Sequence, residues 1–207
     1  MRNKIYIFIM SLFFLLFYVS RGFALKEDSH KAINEYIAQK TVSGFSLSAY
    51  LINNLGFKGG SDEVLKGINA EGRDVEQKVL WWLGYGGVQE DRPGEWEDFV
   101  LGPTRSVNHF HNPLKPWGEA GLSDISSGMS SVYWAQEPNQ FYGGQWSWQT
   151  ARSAYYNALT GPDKAGRERY FAKTFRAVGQ LMHLVEDASV PEHTRNDAHG
   201  VNFSERI

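Results

Sequence analysis

Apolar residues recur every three or four positions along most of this chain, the spacing of one face of an α-helix. From His30 to about Lys40, Ile33 and Ile37 share a face with His30, and Asp28 or Ser29 stands where an N-terminal cap belongs. His30 thus falls on the apolar side, where a lone histidine is more often a core residue than a ligand. A second run, Ser46 to Leu55, stops at Gly56, which suits the left-handed turn at a helix C-terminus. Residues 57–73 contain Gly59, Gly60 and Gly72, show no period, and are expected to form a loop. Val75, Val79, Leu80 and Leu83 predict a helix from about Asp74 to Leu83, which Gly84-Tyr85-Gly86-Gly87 is expected to break.

The second half alternates long loops with long helices. Residues 114–146 are rich in Gly, Ser, Pro and Trp and predict loops, with one short helix around Ser130–Ala135. Their aromatic residues (Trp117, Tyr133, Trp134, Phe141, Tyr142 and Trp146) suit either an apolar pocket wall or ordinary core packing. Ser147 is placed to cap a helix from Trp148 to Leu159, stopped by Gly161-Pro162. The longest helix is expected from Lys164 to Ser189, with Phe171, Phe175, Val178, Met182 and Val185 as its core stripe. No run reads convincingly as a strand and no internal repeat is visible. The predicted class is all-α, a multi-helix bundle with long connecting loops.

Residues 1–24 change the picture at one end. Arg2 and Lys4 precede an almost wholly apolar run from Ile5 to Val19, and Gly22-Phe23-Ala24 offers small residues at the cleavage positions. That pattern predicts a signal peptide and hence a secreted or periplasmic domain over residues 25–207. The apolar run is about 15 residues, against the roughly 20 needed to span a membrane. Formal net charge is −2; losing Arg2, Lys4 and Arg21 with the signal lowers it by three, to −5. Such a charge gives no broad electrostatic attraction for nucleic acid. There is no Cys, so thiolate metal sites, disulfides and lipoprotein processing are excluded, and any metal would be held by His, Asp, Glu, backbone or water.

The candidate chemistry sits in Gly179-Gln180-Leu181-Met182-His183-Leu184-Val185-Glu186-Asp187, continued by Pro191, His193, Asn196 and His199. His183 and Asp187 are four apart, which on a helix puts both on one face, able to reach one ion. Gly179 lies a turn earlier and leaves room for something to approach the backbone closely. Pro191 is expected to end the helix, because it pushes Val190 towards extended geometry. The chain could then bring His193 back towards the pair. A single His/Asp pair at this spacing would ordinarily be a structural hydrogen bond. With His193 and His199 added, metal binding is the better explanation, since imidazole and carboxylate are zinc's usual ligands besides thiolate. Upstream, His109 and His111 flank Phe110 and point to opposite sides if extended, so at most one is a primary ligand. Glu90 and Asp91, just past the glycines, could aim carboxylates into a cleft or be ordinary loop charges.

Assembled, these residues resemble the zinc-dependent phospholipase C family, whose wider superfamily includes the S1/P1 nucleases. The strongest match is His183-x-x-x-Asp187-x-x-x-Pro191-x-His193-x-x-Asn196, with the same residues at the same spacings and a small polar residue at Ser189. Leu184 stands where the family has an aromatic, and Glu186 where it has a small residue. His109-Phe110-x-x-Pro113 is similar to the family's histidine–phenylalanine segment. Gly86-Gly87-x-x-Glu90-Asp91 is similar to the loop carrying a bridging aspartate, with Asp91 the first choice and Glu90 the second. His30 matches a ligand on the first helix, and His199 a late histidine.

The resemblance implies an α-helical fold around up to three zinc ions. His109, His183 and Asp187 would hold one, with Asp91 bridging to another; His193 and His199 would hold a further one, completed by a glutamate. The N-terminal position is a departure, because cleavage after Ala24 leaves Leu25 rather than the family's Trp. The glutamate is another: Glu205 or a residue beyond Ile207 would have to supply it, so the domain is expected to be incomplete at its C-terminus. The implied activity is hydrolysis of a phosphodiester by metal-activated water, with Asp91 as catalytic residue and the histidines as ligands. The expected partner is a phospholipid or related ester, with peripheral membrane contact and a monomeric state. The alternatives are an S1/P1-type nuclease acting on nucleic acid and an exported metal-binding protein without turnover. Val190 before Pro191, and Phe110 after His109, lean towards the phospholipase side.

Overall fold

The computed structural model describes residues 25–92, 105–123, 128–140 and 143–196. The predicted signal segment, Phe141, Tyr142, His199 and Glu205 lie outside the described residues. The chain is mostly helical. Among the described residues it has seven α-helices: α1 (Glu27–Ala38), α2 (Leu47–Leu55), α3 (Val79–Asp91), α4 (Ser131–Trp134), α5 (Trp148–Thr160), α6 (Lys164–Asp187) and α7 (Pro191–Arg195). The caps expected at Gly56 and Ser147 are present, but the one expected at Asp28 or Ser29 is not: α1 starts two residues earlier, with Lys26 as N-cap and no side-chain cap bond, so both residues lie inside its first turn. The Ser46 hydroxyl accepts from Ala49 N–H, and Ser147 from Thr150 N–H. Asp163 caps α6 by accepting from Gly166 N–H. Gly56 ends α2 in the left-handed region at φ 71°. No described helix is long and apolar enough to cross a membrane.

The all-α expectation is corrected by two hairpins: β1 (Thr41–Val42) with β2 (Phe45–Ser46), and β3 (Val64–Ile68) with β4 (Asp74–Lys78). The second occupies most of the segment read as a loop over 57–73 and the start of the helix predicted from Asp74. Its strands alternate between the protein and solvent: Leu65 and Gly67 are buried while Val64, Lys66 and Ile68 are exposed. Lys66 and Gly67 hide this alternation from a count of apolar residues. Gly67 faces inward because a Cβ there would strike the Trp82 ring and the Ala172 side chain. Val75 is at once four residues before Val79 and on the inner side of β4, so the helical count extended one turn too far.

The expected break at Gly84-Tyr85-Gly86-Gly87 is also overturned: α3 runs through it and ends with Asp91. These glycines are a packing surface. A Cβ on Gly86 would strike the Arg176 carbonyl, and one on Gly179 the Leu83 carbonyl. The two glycines therefore let α3 and α6 pack backbone to backbone. Glycine in a helix interior costs about 1 kcal/mol relative to alanine, which close packing here offsets. Gly179 leaves room for a neighbour, as its sequence position suggested, and the neighbour is another helix.

Helices α3 and α6 form the centre, flanked by α1 on one side and by α5 and β3 on the other. The apolar core is built from Leu51, Leu65, Val79, Trp82, Leu83, Phe171, Ala172 and Phe175. It fills the end of the bundle near the start of α3 and the first half of α6. The C-terminal ends of both helices carry the polar residues.

Candidate metal centre

Four segments bring the site together. Helix α1 supplies His30, the end of α3 supplies Asp91, and α6 supplies His183 and Asp187. His109 follows a 3-10 turn at Ser106–Asn108. After α6, Val190 is extended (φ −88°, ψ 121°) and Pro191 opens α7 at its first turn, which folds His193 back over Asp187. The return is pinned twice. His111 N–H donates to the His193 carbonyl at 3.0 Å, and the Asn196 amide donates to the Ala120 and Gly121 carbonyls at 3.1 and 2.9 Å. Phe110 packs its ring against His193, with centroids 4.7 Å apart.

Asp187 is the hub. Its Oδ2 lies 2.8 Å from His109 Nδ1 and 3.1 Å from His183 Nε2; its Oδ1 lies 3.3 Å from His193 Nδ1 and 3.5 Å from His30 Nε2. Asp91 Oδ1 is 3.4 Å from His183 Nε2 and 3.6 Å from His109 Nδ1. The His30 and His183 rings stack with centroids 3.6 Å apart. Short as these separations are, Asp187 Oδ2, His183 Nε2 and His30 Nε2 are buried and make no aligned hydrogen bond. Ligand atoms each about 2.1 Å from one tetrahedral ion would lie about 3.4 Å from each other. The observed spacings bracket that value.

The outward nitrogens fix which atoms face inward. His183 Nδ1–H donates to the Gly87 carbonyl at 2.8 Å. His30 Nδ1 pairs with Glu186 Oε2 at 2.6 Å. Holding one ring nitrogen on a carbonyl or carboxylate orients the other as a ligand. Two groups of ligand atoms result: His30, His183 and Asp187, and Asp91, His109 and His183, each with its atoms within 4.8 Å of one another. Both could hold a metal ion. They share His183 Nε2, which can serve only one ion because Nδ1 is engaged.

Electrostatics follow from burial and proximity. Burial would raise the Asp187 carboxyl, but His109, His183 and His193 outweigh it and hold it far below the usual carboxylate range. Burial likewise opposes ionisation of Asp91, and His183 and His109 still lower it. In the metal-free protein His109 is raised to about 9 and His183 well above its ordinary value, because nearby carboxylates overcome the burial that would lower them. Bound metal would take the place of these protons.

The predicted residues thus separate cleanly. His30, Asp91, His109, His183, Asp187 and His193 come together. His30 is both a core residue and a member of the site, fully buried on the inner face of α1. His111 points away and sits 2.8 Å from Ser130 Oγ. Glu90, the second choice for a bridging carboxylate, is committed elsewhere. Its Oε2 accepts from Arg105 at 2.6 Å and its Oε1 from the Trp134 indole N–H at 2.8 Å. Burial would raise Glu90, yet Arg105 and His109 hold it down at about 2. Sequence reasoning missed Glu186, Glu90 and Arg105 as supports. Glu186 had been visible as a departure from the family pattern, but its partner lies 156 positions away. No protein-family model, curated protein or solved structure matches the chain.

Proposed function

We propose that this chain is an exported zinc-dependent phosphodiesterase of the phospholipase C type. The observation that carries this reading is the buried convergence of four histidines and two aspartates at metal-ligand spacing, with His30 Nε2, His183 Nε2 and Asp187 Oδ2 turned inward without aligned hydrogen bonds. A site of His and Asp without Cys suits zinc. His30, Asp91, His109, His183, Asp187 and His193 would hold the metal, and His199 would join them by the family resemblance. When bound, zinc lowers the pKa of a coordinated water and neutralises phosphoryl oxygens.

Asp91 has the role closest to substrate. Its side chain is 24% exposed, against 2% for Asp187 and His109 and none for His183. It is the carboxylate that water reaches, at the end of a rigid helix, and it orients the attacking water or takes its proton. The histidines cannot serve as that base. Their inward nitrogens are ligand atoms, and the outward nitrogen of His183 donates to a carbonyl.

A lipid ester is favoured as substrate by what lies beside the site. Trp117 stacks edge-on to His111 and Tyr133, and Leu114, Trp117 and Tyr133 are all exposed. Exposed apolar side chains around His111, whose backbone N–H holds the His193 carbonyl, suit peripheral contact with lipid, and the net negative charge does not favour nucleic acid. The test is hydrolysis of phosphatidylcholine and of single-stranded DNA by zinc-loaded protein, with metal content measured on the same sample. Lipid cleavage with two to three zinc per chain supports the proposal. DNA cleavage alone makes the protein a nuclease of the S1/P1 type, and bound zinc with neither activity makes it a metal-binding protein. Asp91→Asn is expected to remove activity and leave the fold; full activity in that variant would refute the role of Asp91.

A further inference from the structure

Away from the metal centre, a buried cation has no hydrogen-bond acceptor among the described residues. Arg176 lies on α6 seven residues before His183, about 10 Å along the helix axis. It is 4% exposed, and its Nε makes no hydrogen bond. No carboxylate among the described residues lies within ion-pair distance of it. Its guanidinium stands 3.8 Å from the Trp146 ring centroid and 5.2 Å from that of Tyr85. Both rings have other commitments: the Trp146 indole N–H donates to the Gly143 carbonyl at 2.7 Å, and the Tyr85 hydroxyl accepts from Ala70 N–H at 2.7 Å.

Arg105, also buried, has the same unbonded Nε, but its two terminal nitrogens bond to the Gly144 carbonyl and to Glu90. The terminal nitrogens of Arg176 have no such acceptor among the described residues, and a second cation, Lys173, lies three residues earlier on α6 with its Nζ 5.9 Å from the same Trp146 ring. A buried charge without a partner is among the costliest features a protein retains, and ring contacts offset only part of that cost. Burial lowers Arg176 only to about 10, so it stays charged at neutral pH.

We propose that Arg176, Lys173 and Trp146 form a binding site for a small oxyanion, a phosphate or carboxylate group. The guanidinium fork would take two oxygens of the anion, the bidentate geometry that arginine offers and lysine does not. The indole face fixes the plane of the fork. Lys173 is exposed and Trp146 partly so, which puts the mouth of the site at the surface. The site is independent of the phosphodiesterase reading and uses none of the metal-ligating residues.

The test uses the full chain with its metal. Inorganic phosphate, then acetate, is titrated at constant ionic strength while the Arg176 Nε–H resonance is followed by NMR and heat of binding by calorimetry. Phosphate or acetate should move that resonance saturably, and Arg176→Met should weaken the tighter anion at least tenfold. The better of the two anions says whether the natural ligand carries a phosphoryl or a carboxylate group. A resonance that neither anion moves overturns the site. So does phosphate bound equally well by the Met variant, which would place the anion at the metal. If Arg176→Met does not fold, Arg176→Lys keeps the charge and loses the fork; undiminished affinity there also overturns the proposal.

Discussion

Two buried polar clusters lie side by side at the end of α3, one on Glu90 and the other on Asp187. Around Glu90, both carboxylate oxygens accept aligned hydrogen bonds, from Arg105 and from Trp134. Around Asp187, four histidine nitrogens stand at 2.8 to 3.5 Å, yet Oδ2 makes no aligned hydrogen bond with them. Both are composed of charged groups in a buried setting. The first is satisfied by the protein alone and works as a structural joint, tying the segment that carries His109 to the helix that carries Asp91. The second keeps buried nitrogens and a carboxylate oxygen without aligned bonds, in groups that could hold a metal ion. Hydrogen-bond alignment, more than burial or charge, separates a support from a site.

The largest expected effect breaks the second cluster at its hub. Asp187→Asn should strip the protein of bound metal on gel filtration, a loss of affinity of at least about 100-fold, since it removes the charge that four histidines share; elemental analysis reads the result. Metal retained at the wild-type level would remove Asp187 from the ligand set. Next in size is the first cluster. Glu90→Gln leaves Arg105 buried without its carboxylate and should cost about 3–5 kcal/mol of stability, read from the denaturation midpoint, whether or not metal is present. Replacing Arg105 by Met in the same chain should recover much of that loss.

Glu186→Gln probes the support of the metal centre itself. It weakens the hold on His30 Nδ1 and should lower metal affinity about 10- to 100-fold, with little change in the stability of the metal-free fold, measured by competition with a chelator. The two clusters should also part company with pH in the metal-free protein. Glu90 is depressed from 4.5 to about 2, so its contribution is complete above the unfolded value and is lost as pH falls through about 2. His109 is raised from 6.5 to about 9, so its contribution is complete below the unfolded value and is lost as pH rises through about 9. Metal binding should therefore strengthen as pH rises towards 9 and release protons, which calorimetry in buffers of different ionisation heat would detect. The smallest effect belongs to His111. His111→Gln loses one contact with Ser130, about 1 kcal/mol or less, and should leave metal content unchanged; lost metal would bring His111 into the site.

How much of this was legible beforehand depends on how local the cause is. The i,i+4 pair of His183 and Asp187, the extended Val190 before Pro191, the Gly56 stop and the cap at Ser147 depend on near neighbours, and each appears in the fold as read from the chain. The hairpin over 64–78 and the unbroken passage of α3 through Gly84–Gly87 depend on partners far away. Gly67 needs Trp82 and Ala172 to explain it, and Gly86 needs Gly179. Glu186 was conspicuous only as a mismatch until His30 came to lie beside it.

The sequence by itself determined the local spacing of the candidate ligands His183, Asp187 and His193, because four positions on a helix and a proline turn are properties of a short stretch of backbone. It also determined that any metal must be held without thiolate. Tertiary structure alone decided that His30 leaves its role as a simple core residue to join the site, that His109 rather than His111 faces Asp187, and that Glu90 supports while Asp91 meets water. Those choices are made by where α1, α3 and α6 cross, and the crossing is set by contacts between residues that no local pattern connects.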